Sequence, residues 1–187
     1  MNIILKRVAC FLFPLIFFVG CKSDAKKEFA DDRPRRIELL FLGHELEHHN
    51  SRAYFPILAT ALTKDGINIT YTEDVNDLNK KILDRYDGLI VYANHESITP
   101  GQEKALLNFV AEGNAFIPIH SASFCFKNSP KYIDLVGAQF MEHGTGTFKA
   151  TIVNKEHPVM QGLEEFSTWD ETYVHDKIAD DIDVLME

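Results

Sequence analysis

Two hydrophobic patterns alternate along this chain. Residues 37–42 (IELLFL) are mostly apolar without strict alternation, the pattern of a parallel strand covered on both faces. Tyr54, Ile57, Leu58, Ala61 and Leu62 then recur at helical spacing up to Gly66, with Pro56 inside the run leaving the helix start open. Residues 67–72 (INITYT) alternate strictly, which predicts a strand with one wetter face and hence an edge position. Val75, Leu78, Ile82 and Tyr86 mark a second helix, and residues 88–93 (GLIVYA) a further buried strand. Thr99-Pro100-Gly101-Gln102 reads as a helix start, with proline at the first position and Gln102 placed to close a capping box. That helix carries Ala105, Leu106, Phe109 and Val110 on one face and stops at Gly113. Residues 115–119 (AFIPI) form the fourth strand; a short helix around 132–136 and strands at 147–153 and 183–186 complete the reading.

Strands alternating with helices predict right-handed βαβ units. The expected fold is α/β: a three-layer, doubly wound, mainly parallel sheet of the flavodoxin-like kind. With 67–72 at the edge, the strand order is 2-1-3-4 and the switch point lies between the first and third strands.

The first twenty residues carry a different signal. Lys6 and Arg7 precede the apolar run 8–19, which contains Pro14 and is shorter than the roughly 20 residues of a membrane-spanning helix. Phe18-Val19-Gly20-Cys21 follows and resembles the bacterial lipoprotein box, in which the cysteine is lipidated and becomes the new N-terminus. The expected organisation is a signal peptide at 1–20, a lipidated Cys21 opening a polar tether at 21–36, and a domain at 37–187. Such a protein is exported and membrane-anchored in the cell envelope, facing the periplasm or the cell surface.

Composition sharpens this picture in three ways. At 187 residues, 45% of them hydrophobic and 25% charged, the chain is too apolar to be disordered and of a size for one domain. The formal charge of −9 argues against a nucleic-acid partner. Of the three cysteines, Cys10 lies in the signal and Cys21 is the acylation site, so Cys125 stands alone and no internal disulfide forms.

Ligands of open α/β sheets bind beyond the carboxyl ends of the strands. His44 follows the first strand, His95 the third and His120 the fourth. Imidazoles at one rim are suited to binding Zn²⁺ or a similar divalent ion, to acid–base catalysis, or to hydrogen-bonding a polyol. Position alone does not choose among these. His48 and His49 read as rim or surface residues, since Gly43 and the loop-like context argue against a helix. The turn Ile119-His120-Ser121-Ala122-Ser123 has the setting of a nucleophile elbow but lacks G-x-S-x-G, and adjacent His120 and Ser121 cannot easily pair. Cys125, between Phe124 and Phe126, reads as a packing thiol. In an extended segment, Trp169, Glu171 and Tyr173 share one face, a carboxylate beside rings of the kind that stack on sugars.

Several segments together resemble the ThuA-like (trehalose-utilisation) family of the class I glutamine amidotransferase-like fold. They are Arg85–Val91, Phe109–Phe116, Ile119–Ala122, Leu135–Phe140 with His143, His157–Leu163 and Asp170–Tyr173. The resemblance spans about residues 37–175. It aligns His120 with the amidotransferase nucleophilic cysteine, so glutamine hydrolysis is not expected. It implies carbohydrate metabolism, with a bound divalent metal an option. Asn94-His95-Glu96 and the run 169–175 look like the domain that opens large envelope proteins continuing into dehydrogenase and cytochrome c segments. No C-x-x-C-H occurs, so no haem is expected in this chain. The sequence ends at Glu187 straight after the last expected strand, where the resemblance has the fold continue, so a fragment is expected.

Two functions follow from the resemblance. In the first, the domain is an enzyme acting on a sugar or an oxidised-sugar derivative. His120, His95 and Glu171 would carry the chemistry, and His44, Asn94, Ser121, His143, Trp169 and Tyr173 would bind substrate. His44 and His120 are the residues expected to hold any metal. In the second, the domain is a non-catalytic carbohydrate-binding or docking module for a partner dehydrogenase. A hydrolase using Cys125 is a weaker third.

Overall fold

The computed structural model describes residues 35–187. The expected signal peptide, the lipidation site Cys21 and residues 21–34 of the expected tether lie outside the described residues. Among the described residues, no helix is long and apolar enough to cross a membrane.

The four strands expected between residues 37 and 119 form one parallel sheet. β1 (Ile37–Gly43), β2 (Ile67–Thr72), β3 (Gly88–Tyr92) and β4 (Ala115–Pro118) lie in the order β2-β1-β3-β4. The alternating strand is at the edge, as its pattern requires. Successive side chains of a strand face opposite sides, and both sides are covered here. Leu39, Phe41 and Ile90 pack with Phe55 and Leu58 of α1 (Ser51–Thr63). Leu40, Leu42, Leu89 and Val91 face a larger core on the other side. There they meet Leu83 of α2 (Lys80–Leu83), Leu106 and Phe109 of α3 (Pro100–Ala111), and Tyr132 of α4 (Pro130–Val136). The result is the three-layer, doubly wound α/β fold.

Local chemistry sets the helix ends. Asn50 caps α1 by accepting from the Ala53 N–H, so Pro56 falls inside the helix. The Thr99/Gln102 capping box forms, with Pro100 at the first position of α3. The expected second helix is instead broken in two: a 3-10 turn at Val75–Asp77, then α2 after Asn79, whose side chain caps it.

The C-terminal part departs further from expectation. The strand expected at 147–153 is β5 (Gln139–Ala150), which starts eight residues earlier and includes His143. It pairs antiparallel with β6 (Phe166–Asp176), setting His143 opposite Tyr173 and Thr145 opposite Glu171. The expected strand at 183–186 reduces to one bridge, Ile152 to Met186. Its apolar residues do not alternate, and only that bridge gives it a ladder partner. At the other end, Arg35 pairs with Asp87, and Arg36 reaches the Thr63 carbonyl and Asn68, so the last expected tether residues bind the domain.

Candidate functional site

Three strand ends and the β5–β6 hairpin deliver the polar side chains. β1 ends at Gly43, where a Cβ would overlap Tyr71 and Ser51. Ser51 Oγ accepts from the His44 N–H at 2.8 Å and bonds the Tyr71 hydroxyl at 3.1 Å, which fixes the chain as it leaves the sheet. β3 runs out through Ala93 into Asn94 and His95. The Ala93 carbonyl accepts from the Ser121 hydroxyl at 3.1 Å and the Cys125 thiol at 2.8 Å, tying this end to the turn after β4. That turn opens on His120, whose φ of 51° lies in the left-handed region. For a residue with a side chain this costs about 1–2 kcal/mol and persists only where neighbours hold it.

The histidines separate into two groups. His44 and His95 stack with centroids 4.2 Å apart and planes 14° apart, and the His95 ring also lies 6.2 Å from the parallel Phe126 ring. Burial, then His44, pushes the His95 pKa below its ordinary value, so this imidazole is neutral at neutral pH. Neither His44 nor His95 lines any of the three clefts that Glu171 borders.

The second group surrounds Glu171. One carboxylate oxygen lies 3.9 Å from His120 Nε2 and the other 3.6 Å from His143 Nε2. His49 meets the His120 ring edge-on at 4.9 Å; burial first, then His120, lowers its pKa. Tyr173 stacks on His120 at 5.2 Å, with its hydroxyl 2.7 Å from Nδ1 and 3.2 Å from Nε2. Burial and a hydrogen bond to Glu171 hold the Tyr173 phenol well above its usual range, so it stays protonated. In the tautomer whose Nδ1 accepts from that hydroxyl, His120 carries its proton on Nε2, the atom facing Glu171. His143 Nδ1 donates to the Gly144 carbonyl at 3.2 Å, since a carbonyl only accepts, and its Nε2 faces Glu171.

Glu171 borders three adjoining clefts. The largest, of about 770 Å³, is lined by His48, His49, Asn94, Phe140, His143 and Tyr173 among others. One of about 630 Å³ carries Tyr54, Tyr92, His120 and Trp169, and one of about 380 Å³ carries His120, Ser123, Tyr173 and His175. Among the described residues, no lysine or arginine lines any of the three. Among the described residues, five buried side-chain atoms lack a partner: His44 Nδ1 and His95 Nε2 in the stacked pair, and His49 Nδ1, Asn94 Oδ1 and Glu171 Oε2, whose residues all line the largest cleft. Buried polar atoms are nearly always satisfied, so the gathering of the last three in one cleft marks a place where a ligand or water completes them.

The expected metal pair falls in different groups: His44 stacks on His95, while His120 meets the Tyr173 hydroxyl and faces Glu171. Among the described residues, no three His, Cys, Asp or Glu side chains are placed to hold a metal ion.

Of the residues read from sequence, the structure brings together His120, Glu171, His143 and Tyr173, with Asn94 and Ser121 lining the same cleft. The Ser121 hydroxyl proton is already committed to Ala93. Trp169 stands at the rim, 68% exposed. His44 and His95 stack on each other instead of flanking an open crevice. The sequence pattern places His49 at the rim and misses the pair Ser123 and His175. The period of two in Glu171, Tyr173 and His175 is the signal that finds His175. His49 has none, because its loop is set by the paired backbone bonds of Leu46 and His49.

Comparison with known proteins adds the family. No curated protein matches the chain. A ThuA-like protein from Bacteroides uniformis ATCC 8492 has a solved structure that superposes with a TM-score of 0.69 at 20% identity, over 83% of this chain and 68% of that one. A ThuA-like protein from Parabacteroides merdae ATCC 43184 gives 0.67 at 16% identity, over 82% and 68%. The model of the ThuA family, described as trehalose utilisation, matches residues 38–187. The chain therefore belongs to the ThuA, trehalose-utilisation family.

Proposed function

We propose that this domain binds a neutral carbohydrate, or its oxidised derivative, in the clefts around Glu171 and performs acid–base chemistry on it. The observation that carries the reading is the set of buried, unpartnered polar atoms of His49, Asn94 and Glu171 in one cleft. A polyol offers hydroxyls that both donate and accept, which is what such a mixed set requires. Among the described residues the lining holds no lysine or arginine, which argues against a phosphorylated or carboxylated substrate. Tyr54, Tyr92 and Trp169 supply apolar faces for sugar rings.

In this reading Glu171 takes a proton from the substrate, while the Nε2–H of His120 donates a hydrogen bond to the substrate oxygen on which negative charge develops. The 3.6 and 3.9 Å spacings exceed hydrogen-bond length, and catalytic contacts of this kind tighten when substrate is bound. Tyr173 keeps His120 in the donating tautomer. Cys125 takes no part. We further infer that the protein acts from the cell envelope, anchored through Cys21, beside dehydrogenase and cytochrome c domains or partners.

A binding-only module is the second reading, favoured by the exposure of Trp169 at the cleft rim. The test of the carbohydrate site is titration of the full chain with trehalose and other neutral saccharides, followed by NMR of the histidine rings. Movement of the His120, His143 and His49 signals with neutral saccharides supports the site. Movement with phosphorylated sugars and none with neutral ones contradicts it.

A further inference from the structure

His120 is held in a strained backbone by β6, and two arms reach it from that strand. The first is Tyr173, whose hydroxyl bonds the His120 ring. The second runs through residues that the chemistry above does not use. His175 Nε2 lies 3.3 Å from Ser123 Oγ, and Ser123 Oγ lies 3.4 Å from the His120 carbonyl. Ser123 is 8% exposed and has one hydroxyl proton. Only with the His175 proton on Nε2 are both bonds made at once: His175 donates to Ser123, and Ser123 donates to the carbonyl. The arrangement with the most satisfied groups is therefore a relay from β6 to the main chain of His120. Burial lowers the His175 pKa, which favours the neutral ring in that relay.

We propose that Ser123 and His175 are positioning residues for His120, fixing the 120–121 peptide so that the imidazole stays on Tyr173 and faces Glu171. This rests on the acid–base reading of His120, but its test needs no substrate. Left-handed φ at a residue with a side chain relaxes when its restraints go. Loss of the relay lets the peptide turn and the ring leave the Tyr173 hydroxyl. The groups facing the ring are Tyr92, Tyr173, His49 and Glu171, and none of them changes in the variants below other than the Tyr173 control.

The experiment is ¹⁵N NMR of the His120 ring in the full chain, where the nitrogen shifts report which atom carries the proton. Tyr173→Phe removes the donor directly and sets the size of the full effect. Ser123→Ala and His175→Phe are each expected to move the shifts at least halfway to the Tyr173→Phe values. His175→Gln, which keeps a side-chain donor, is expected to stay near wild type. The proposal is overturned if Ser123→Ala and His175→Phe keep wild-type shifts. It is equally overturned if His175→Gln moves as far as His175→Phe, since ring packing and not donation would then be responsible. Should Ser123→Ala fail to fold, the His175→Phe and His175→Gln pair decides alone. Saccharide binding is read separately, so failure of the site and failure of the relay are distinguishable.

Discussion

Cys125 and His120 lie five residues apart on one turn, yet their surroundings give them opposite uses. Cys125 is 1% exposed, its thiol donates to the Ala93 carbonyl, and burial pushes its pKa up to about 12. The thiolate is the reactive form, so this sulfur is inert at neutral pH. Iodoacetamide at pH 8 should leave the Cys125 peptide unmodified in the folded protein and label it after unfolding, as read by mass spectrometry; native-state labelling would count against the assignment. His120 instead borders two clefts and touches a phenol and a carboxylate. General acid–base groups contribute about 10²–10⁴-fold, so His120→Ala should lower kcat by that range with the fold intact. The strand-end positions of His44, His95 and His120 were legible because they depend only on where apolar runs stop. Which histidines meet was not, because the His44–His95 stack and the His120–Tyr173 bond join residues 51 and 53 positions apart.

At the scale of elements, the sheet was legible to the level of strand order, since the strict alternation of Ile67–Thr72 already required an edge. The capping box of α3 was legible for the same reason: its signal is local. The β5–β6 hairpin was not, as its register is set by pairing across a long connection, and the Gly- and Thr-rich stretch from Gly144 to Thr147 carries little hydrophobic pattern. That register is what sets His143 across from Tyr173 and brings it to Glu171. Gly43 shows how closely an element end is built around the site. An added Cβ would overlap the Tyr71 ring and Ser51, the residue that holds the His44 backbone. Gly43→Ala should therefore destabilise the domain by about 1–3 kcal/mol, the usual cost of overpacking, in urea unfolding. An unchanged midpoint would show that Tyr71 moves freely.

Across the whole molecule, His49, His95 and His175 all have pKa values lowered, each chiefly by burial, from the ordinary 6.5. The unfolded chain then binds more protons than the folded one once the pH falls below about 6.5, so stability is full above that pH and declines on acidification. One such proton gives a slope of at most about 1.4 kcal/mol per pH unit. Thermal unfolding from pH 7.5 to 5 should show the decline, and His95→Gln should flatten it; a flat wild-type profile would mean that the rings are hydrated. His49 and His175 line a cleft system that, among the described residues, has carboxylates but no lysine or arginine, and that combination underlies the carbohydrate reading. The measurement that bears on it most directly is turnover, by the full chain, of the saccharide shown to bind, compared with Glu171→Gln and His120→Ala. The account predicts that both variants still bind the sugar and lose at least about 100-fold in kcat. Wild-type turnover in both would contradict it.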